Sequence, residues 1–221
     1  MELEKTADGS YTLFVPELDE HYHSVKGALT ESEHIFINMG LKHSPAKEPN
    51  ILEIGFGTGL NAFLTSLEAK KESRNIRYTT IEKYPLEMDI IKHLDYPELI
   101  APTEKDMFYS IHTAEWNTPQ KISENFIIEK IKGDFTDFKF RKGYDIIYFD
   151  AFAPEKQPEM WSQELFNNLY DVLNNNGILT TYCAKGSVRR MLKEAGFSVE
   201  RLAGPPGGKR EILRGTKLFT D

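Results

Sequence analysis

A single cysteine, Cys183, in 221 residues leaves no partner for an internal disulfide, and that scarcity suits a reducing cytoplasm. No apolar run approaches the ~20 residues that a membrane-spanning helix needs. The opening stretch MELEKTADGSYTLFVPELDEHYHS is acidic and polar, without the apolar core of a secretory signal. Positive charge is also short. The 27 Lys and Arg against 34 Asp and Glu give a formal net charge of −7, which argues against a surface built wholly for nucleic acid. No repeat or low-complexity tract interrupts the chain. His21, His23 and His34 have no acid at metal-ligand spacing, so no metal is expected. These absences together lead us to expect a soluble, cytoplasmic protein.

What is present suffices for one large domain, since 40% of the residues are hydrophobic and 12% aromatic. The charge is uneven. From Thr181 onward nine Lys and Arg face four acids, a net +5 that leaves the remainder near −12. That stretch is either a local basic face or a solvated helix and tail.

Residues 1–48 read as a small N-terminal cap. YTLFV (11–15) and IFI (35–37) flank a polar segment, with a helix from about Ser32 to Leu41, and HYHSVKGALTES is placed to act as a lid. Residues 49–221 alternate short apolar strands with amphipathic segments, the mark of βαβ units and a parallel sheet. Seven strands are expected: Ile51–Glu53, Tyr78–Glu82, Ile127–Lys132, Tyr144–Phe149, Ile178–Tyr182, Ser198–Leu202 and Glu211–Leu213. The last two are separated only by AGPPGGKR and should form an antiparallel hairpin. Helices are expected at Glu159–Leu173 and from Val188 to Ala195, the latter capped by Ser187 and stopped by Gly196. About forty residues, roughly 85–125, exceed one crossover and suggest an inserted helical flap.

Chemistry concentrates at strand ends. ILEIGFGTGLNAFL (51–64) places Gly55, Gly57 and Gly59 directly after a strand, where glycine lets a ligand approach the backbone. The spacing is G-x-G-x-G, not the G-x-G-x-x-G of dinucleotide sites. Glu82 ends the second strand, where an acid accepts hydrogen bonds from ribose hydroxyls. Asp134, in IKGDF, can face an adenine edge, although Gly-Asp also makes ordinary turns. YDIIYFDAFAPEKQPEMW (144–161) leads into Asp150 at the carboxyl edge of the sheet and then into a segment stiffened by Pro154 and Pro158. A glycine loop followed by an acid after each of the next strands matches S-adenosylmethionine, which has a ribose and an adenine but no pyrophosphate. Glu53 either helps hold the cofactor's ammonium or is a buried structural acid.

LEIGFGTGLNAFL, IEKYPL, GDF, FDAFAPEKQPEMW and GSVRRMLKEAGF…GGKREILRG resemble, in order and spacing, the methyltransferase part of the bacterial bifunctional tRNA-modification enzyme MnmC and its stand-alone relatives. YHSVKGALTESEHIFI resembles the N-terminal segment of that family. The likeness runs from about residue 20 to 215, and D-x-F-x-P-x-K-x-P-x-M-W, Asp150 to Trp161, is its most specific part.

The resemblance implies a Rossmann-like class I methyltransferase of α/β class. Its sheet would have seven mostly parallel strands and an antiparallel C-terminal hairpin, beside a small N-terminal cap and a helical insert. It implies S-adenosylmethionine as cofactor and conversion of 5-aminomethyl-2-thiouridine to 5-methylaminomethyl-2-thiouridine at the tRNA wobble position. Asp150 matches the family's proposed catalytic aspartate. The expected cofactor-binding set is Glu53, Gly55, Gly57, Gly59, Asn61, Glu82, Lys83, Asp134 and Asp150.

For the substrate, Phe152 and Pro154 are expected to wall in the uridine, while Lys185, Arg189, Arg190, Lys209 and Arg210 meet the tRNA backbone or stay solvated. Trp161 could also stack on the base, but it opens an amphipathic helix and reads better as core. The family's bifunctional members continue into a flavin-dependent oxidase, an activity expected to be absent here. The expected partner is tRNA, with no membrane, and the chain a monomer or weak oligomer. Two other functions remain open at this level: methylation of a small-molecule amine, and a catalytically silent module that binds S-adenosylmethionine or RNA.

Overall fold

A computed structural model describes residues 1–219. The N-terminal cap is a three-stranded antiparallel meander, β1 (Glu2–Lys5), β2 (Tyr11–Val15) and β3 (Glu20–His21). A helix follows, starting at Ala28 rather than Ser32. It is α-helical over Ala28–Ser32 (α1) and widens to π pitch over Glu33–Leu41. Gly40 lets it lie close on the sheet, because a Cβ there would sit 3.1 Å from the Tyr148 ring.

The main sheet is built from β4 (Asn50–Ile54), β5 (Ile76–Glu82), β6 (Gln120–Ser123), β7 (Phe126–Lys132), β8 (Tyr144–Phe149), β9 (Leu173–Thr181), β10 (Ser198–Ala203) and β11 (Glu211–Thr216). Their order is β10-β11-β9-β8-β4-β5-β7-β6. The five central strands run parallel, while β6, β10 and β11 pair antiparallel, so the expected C-terminal hairpin forms. The sheet has eight strands, not the expected seven. The extra one, β6, comes from QKIS inside the insert, an edge segment too polar to show a buried strand's pattern.

The helices are α2 (Leu60–Glu72), α3 (Met88–Ile91), α4 (Tyr96–Ile100), α5 (Lys105–Thr113), α6 (Gln163–Val172) and α7 (Gly186–Glu194). Two expected boundaries move. Pro158–Met160 forms a separate 3-10 turn, and Ser162 Oγ accepts from the Leu165 N–H, so α6 starts at Gln163. Lys185, not Ser187, holds the cap position of α7, while Gly196 ends it with φ +109° as expected.

Strand alternation splits the core into two layers. Ile51, Tyr78, Ile146 and Tyr148 face the cap helix, α2 and α5, whereas Leu52, Ile54, Ile147 and Phe149 face α6 and α7. The insert α3–β6 is no free flap. Phe108 packs edge-on to Phe63 of α2 with centroids 5.2 Å apart, and Glu104 pairs with Lys70 at 2.7 Å.

Candidate active site

After β4 the chain builds outward through β5 to β7, then returns to lay β8 against the other side of β4. At such a switch the loops at the carboxyl ends diverge and leave a crevice. Here they wall a pocket of about 980 Å³.

Glycine permits the tight contacts of the floor. Gly55 has φ +90°, and a Cβ there would lie 2.8 Å from the Asp150 carbonyl oxygen, so the two strand ends touch backbone to backbone. The Asp150 N–H donates to Ile54 O at 3.0 Å. Gly57 has φ +49° and lies under the ring of Tyr22. Gly59 does not line the pocket, since a Cβ there would meet His112 at 2.6 Å, and its role is to let the insert close on α2.

Glu82 stands on the pocket wall. Its Oε2 accepts from the Gly57 N–H at 3.1 Å and its Oε1 from the Tyr84 N–H at 2.8 Å. Asp134 also lines the pocket, but its carboxylate is committed. Oδ1 accepts from the N–H and Oγ1 of Thr136, and Oδ2 from Lys83 Nζ at 2.7 Å. Those bonds, led by the one from Lys83, hold its carboxyl down at about 2. Lys83 therefore faces Asp134 at the rim.

The arrangement fits S-adenosyl-L-methionine. Glu82 presents a carboxylate of the kind a ribose needs, glycine backbone is open to close approach, and Ile81 and Phe135 offer an apolar wall. A pyrophosphate fits less well, because Glu82 already takes the Gly57 N–H that a phosphate would use.

Asp150 lines the pocket. Its Oδ2 accepts from Asn61 Nδ2 at 2.8 Å. Burial pushes its carboxyl up to about 7, with the Asn61 bond pulling the other way. Asn61 is almost wholly buried and supports Asp150 from behind rather than lining the pocket. Glu53 lies deeper, fully buried among Thr80, Tyr78 and Asn61, and burial pushes it up to about 8. Of its two sequence readings, this placement matches the buried structural acid.

Phe152 and Pro154 also line the pocket, and the Phe152 ring meets Tyr22 edge-on at 5.1 Å. Trp161 is core, packed on Phe149, and its Nε1 donates to Phe152 O at 2.8 Å, which fixes that loop. Lys185, Lys209 and Arg210 reach the pocket; Arg189 and Arg190, on α7, do not line it. Lys185 pairs with Glu155. Lys209 pairs with Glu31 at 3.2 Å and lies 3.7 Å from the centroid of the Tyr182 ring.

Sequence reasoning missed Tyr22, His23, Glu31, Lys156 and Tyr182 as pocket residues. The first three fall in the segment expected to be a lid. That segment is pinned to the glycine loop, for His23 Nε2 and Thr58 Oγ1 share a 2.7 Å hydrogen bond. Burial holds His23 down at about 4, so the joint is uncharged near neutral pH.

A family model described as S-adenosyl-L-methionine-dependent methyltransferase matches residues 102–218. The chain is 31% identical over 209 residues to the tRNA 5-methylaminomethyl-2-thiouridine biosynthesis bifunctional protein MnmC of Campylobacter fetus subsp. fetus (strain 82-40), covering 91% of this chain and 34% of that protein. It is 33% identical over 210 residues to the protein of the same name from Leptospira borgpetersenii serovar Hardjo-bovis (strain JB197), covering 89% and 32%. The chain thus spans about a third of the length of the curated relatives it matches. The crystal structure of MNMC2 from Aquifex aeolicus aligns with a TM-score of 0.76 at 27% identity, covering 97% of this chain and 69% of that one.

Proposed function

The chain belongs to the family of S-adenosyl-L-methionine-dependent methyltransferases, and from that premise we propose that it methylates the exocyclic amine of 5-aminomethyl-2-thiouridine at the tRNA wobble position. The product is 5-methylaminomethyl-2-thiouridine. Support for the substrate comes from the likeness to the two MnmC bifunctional proteins, which are named for that product. The observation that carries the reading is the position of Asp150. It lines one pocket together with Gly55, Gly57 and Glu82, which we assign to the cofactor, and with Phe152, Pro154, Lys185, Lys209 and Arg210, which we assign to the substrate.

When bound, the cofactor supplies a methyl group already activated on a sulfonium. The protein's task is to deliver a neutral amine in line with it. Asp150 suits that task because it titrates near neutral pH. It takes one proton from the aminomethyl group's ammonium form and accepts a hydrogen bond from one of the two N–H bonds that remain, which aims the lone pair. A carboxyl of ordinary acidity would be a poor proton acceptor at that pH. Glu82 holds the ribose, and Phe152 with Tyr22 borders the base. Arg210, Lys185 and Lys209 offer charge to the RNA backbone.

A second reading, a small-molecule amine as substrate, is favoured by one observation. Acids already answer several of the pocket's cations: Lys185 by Glu155, Lys209 by Glu31 and Lys156 by Asp19. Methyl transfer from labelled S-adenosyl-L-methionine separates the readings. One tRNA preparation carries 5-aminomethyl-2-thiouridine at the wobble position; the other is an unmodified transcript. Label on the first alone supports the proposal. No label on either, with cofactor bound, overturns it and directs the assay to small primary amines.

A further inference from the structure

A second carboxyl stands behind Asp150. Glu53 projects from β4 on the face that packs against α2, with Thr80 of β5 and Tyr148 of β8 beside it in register. It is wholly buried, and neither of its oxygens has a hydrogen-bond partner. A bare carboxylate there is strongly disfavoured, so the group keeps its proton. A protonated carboxyl is a donor. Beside it lie three other buried polar atoms without partners: Tyr78 Oη, Thr80 Oγ1 and Asn61 Oδ1. The two hydroxyls can donate for themselves. Asn61 Oδ1 can only accept, and the nitrogen of the same amide is already spent on Asp150.

We propose that protonated Glu53 donates to Asn61 Oδ1 and so locks the amide with its N–H on Asp150, which makes Glu53 a positioning residue for that carboxylate. The inference rests on the role given to Asp150 above. Its consequence is electrostatic. A locked N–H favours the charged form of Asp150; an amide free to turn its oxygen toward the carboxylate disfavours it.

Other groups face the pair and set the background. Glu31 of the cap helix and Lys209 of the β10–β11 loop act on Asp150 by charge, in opposite directions, and Tyr182, the residue that follows β9, adjoins it. Tyr78 of β5 and Tyr148 of β8 face Glu53, and burial keeps both phenols protonated.

The test is an NMR titration of the Asp150 carboxyl in cofactor-free protein carrying Glu53→Leu or Glu53→Gln. Each substitution removes the second acid, so Asp150 titrates alone in both. They differ in one respect, for glutamine keeps an N–H donor. Asp150 is expected to titrate ~0.5–1 unit higher in Glu53→Leu than in Glu53→Gln. The acid limb of kcat should shift the same way, with the Kd for S-adenosyl-L-methionine equal in the two. Equal titrations, or the reverse order, overturn the proposal.

The wild-type protein offers a check independent of how the variants fold. The side-chain amide resonance of Asn61 should respond in two steps, once as Asp150 titrates and again as Glu53 loses its proton. A single step contradicts the link. Neither titration needs cofactor or tRNA, so failure here is separate from failure of the methyl-transfer assay.

Discussion

Asn61 Nδ2 donates to Asp150 Oδ2 over 2.8 Å, the one side-chain hydrogen bond to that carboxylate among the described residues. One neutral donor is a modest counterweight to burial, which is why Asp150 stays near 7 instead of the ordinary carboxylate range. The reaction should therefore follow the deprotonated form. We expect kcat to fall about tenfold per unit below about pH 7. Asp150→Asn, which keeps the shape but accepts no proton, should lower kcat by roughly 10²–10⁴. A pH–rate profile of single-turnover methyl transfer, with calorimetry showing cofactor binding retained, checks both.

Gly55 tests how closely the glycine loop must pass Asp150. Alanine there meets two penalties: φ +90° and a Cβ 2.8 Å from the Asp150 carbonyl oxygen. Gly207 serves as the control, because its φ of +71° is also positive but nothing lies within 4 Å of a Cβ. Gly55→Ala should destabilise by about 2–4 kcal/mol and disturb Asp150. Gly207→Ala should cost only ~1 kcal/mol. Urea unfolding of the two variants side by side measures the difference.

Much of this was readable before the fold, and the limits follow from what sequence pattern encodes. Short apolar runs such as ILEI and YDIIYF end in chemistry-bearing residues, so strand ends and their order locate Gly55, Glu82 and Asp150 together. Pattern does not say where a buried polar side chain points. Glu53 is an acid within an apolar strand, and only the packing of α2 decides that it lies behind Asp150 rather than in the pocket. Tyr22 and His23 reach the site through the docking of a separate sheet on the glycine loop, a contact with no local signature. The edge strand β6 was missed because half-exposed QKIS carries no buried alternation.

The basic residues separate by how far their charge is already answered. Lys185 lies against Glu155, whereas Arg210 has no ion pair among the described residues and lines the pocket. Arg210→Ala should therefore weaken tRNA binding more than Lys185→Ala. It should also reduce the slope of log K against log salt by about 0.7–0.9, the loss of one phosphate contact. Equilibrium binding of tRNA across a salt series measures both effects. A slope unchanged in Arg210→Ala would remove that residue from the RNA interface.

Lys130 is a buried lysine that the methyl-transfer site does not use. It is 1% exposed, its ammonium donates to His112 O, and it lies over the Trp116 ring at 4.6 Å and the Phe56 ring at 5.6 Å. No acid pairs with it among the described residues, and burial pulls it down from 10.5 to about 8. Below about pH 8 the folded protein carries this charge at a cost. Between about 8 and 10.5 the folded state has lost the proton while the unfolded chain keeps it, so stability rises with pH there. Lys130→Met, apolar and of similar length, should then gain about 1–3 kcal/mol at pH 7. The gain should shrink as pH climbs through that window. Urea unfolding of both proteins at neutral and at alkaline pH measures the change, and an advantage for methionine that is independent of pH would show that the aromatic cage and the His112 carbonyl fully compensate the charge.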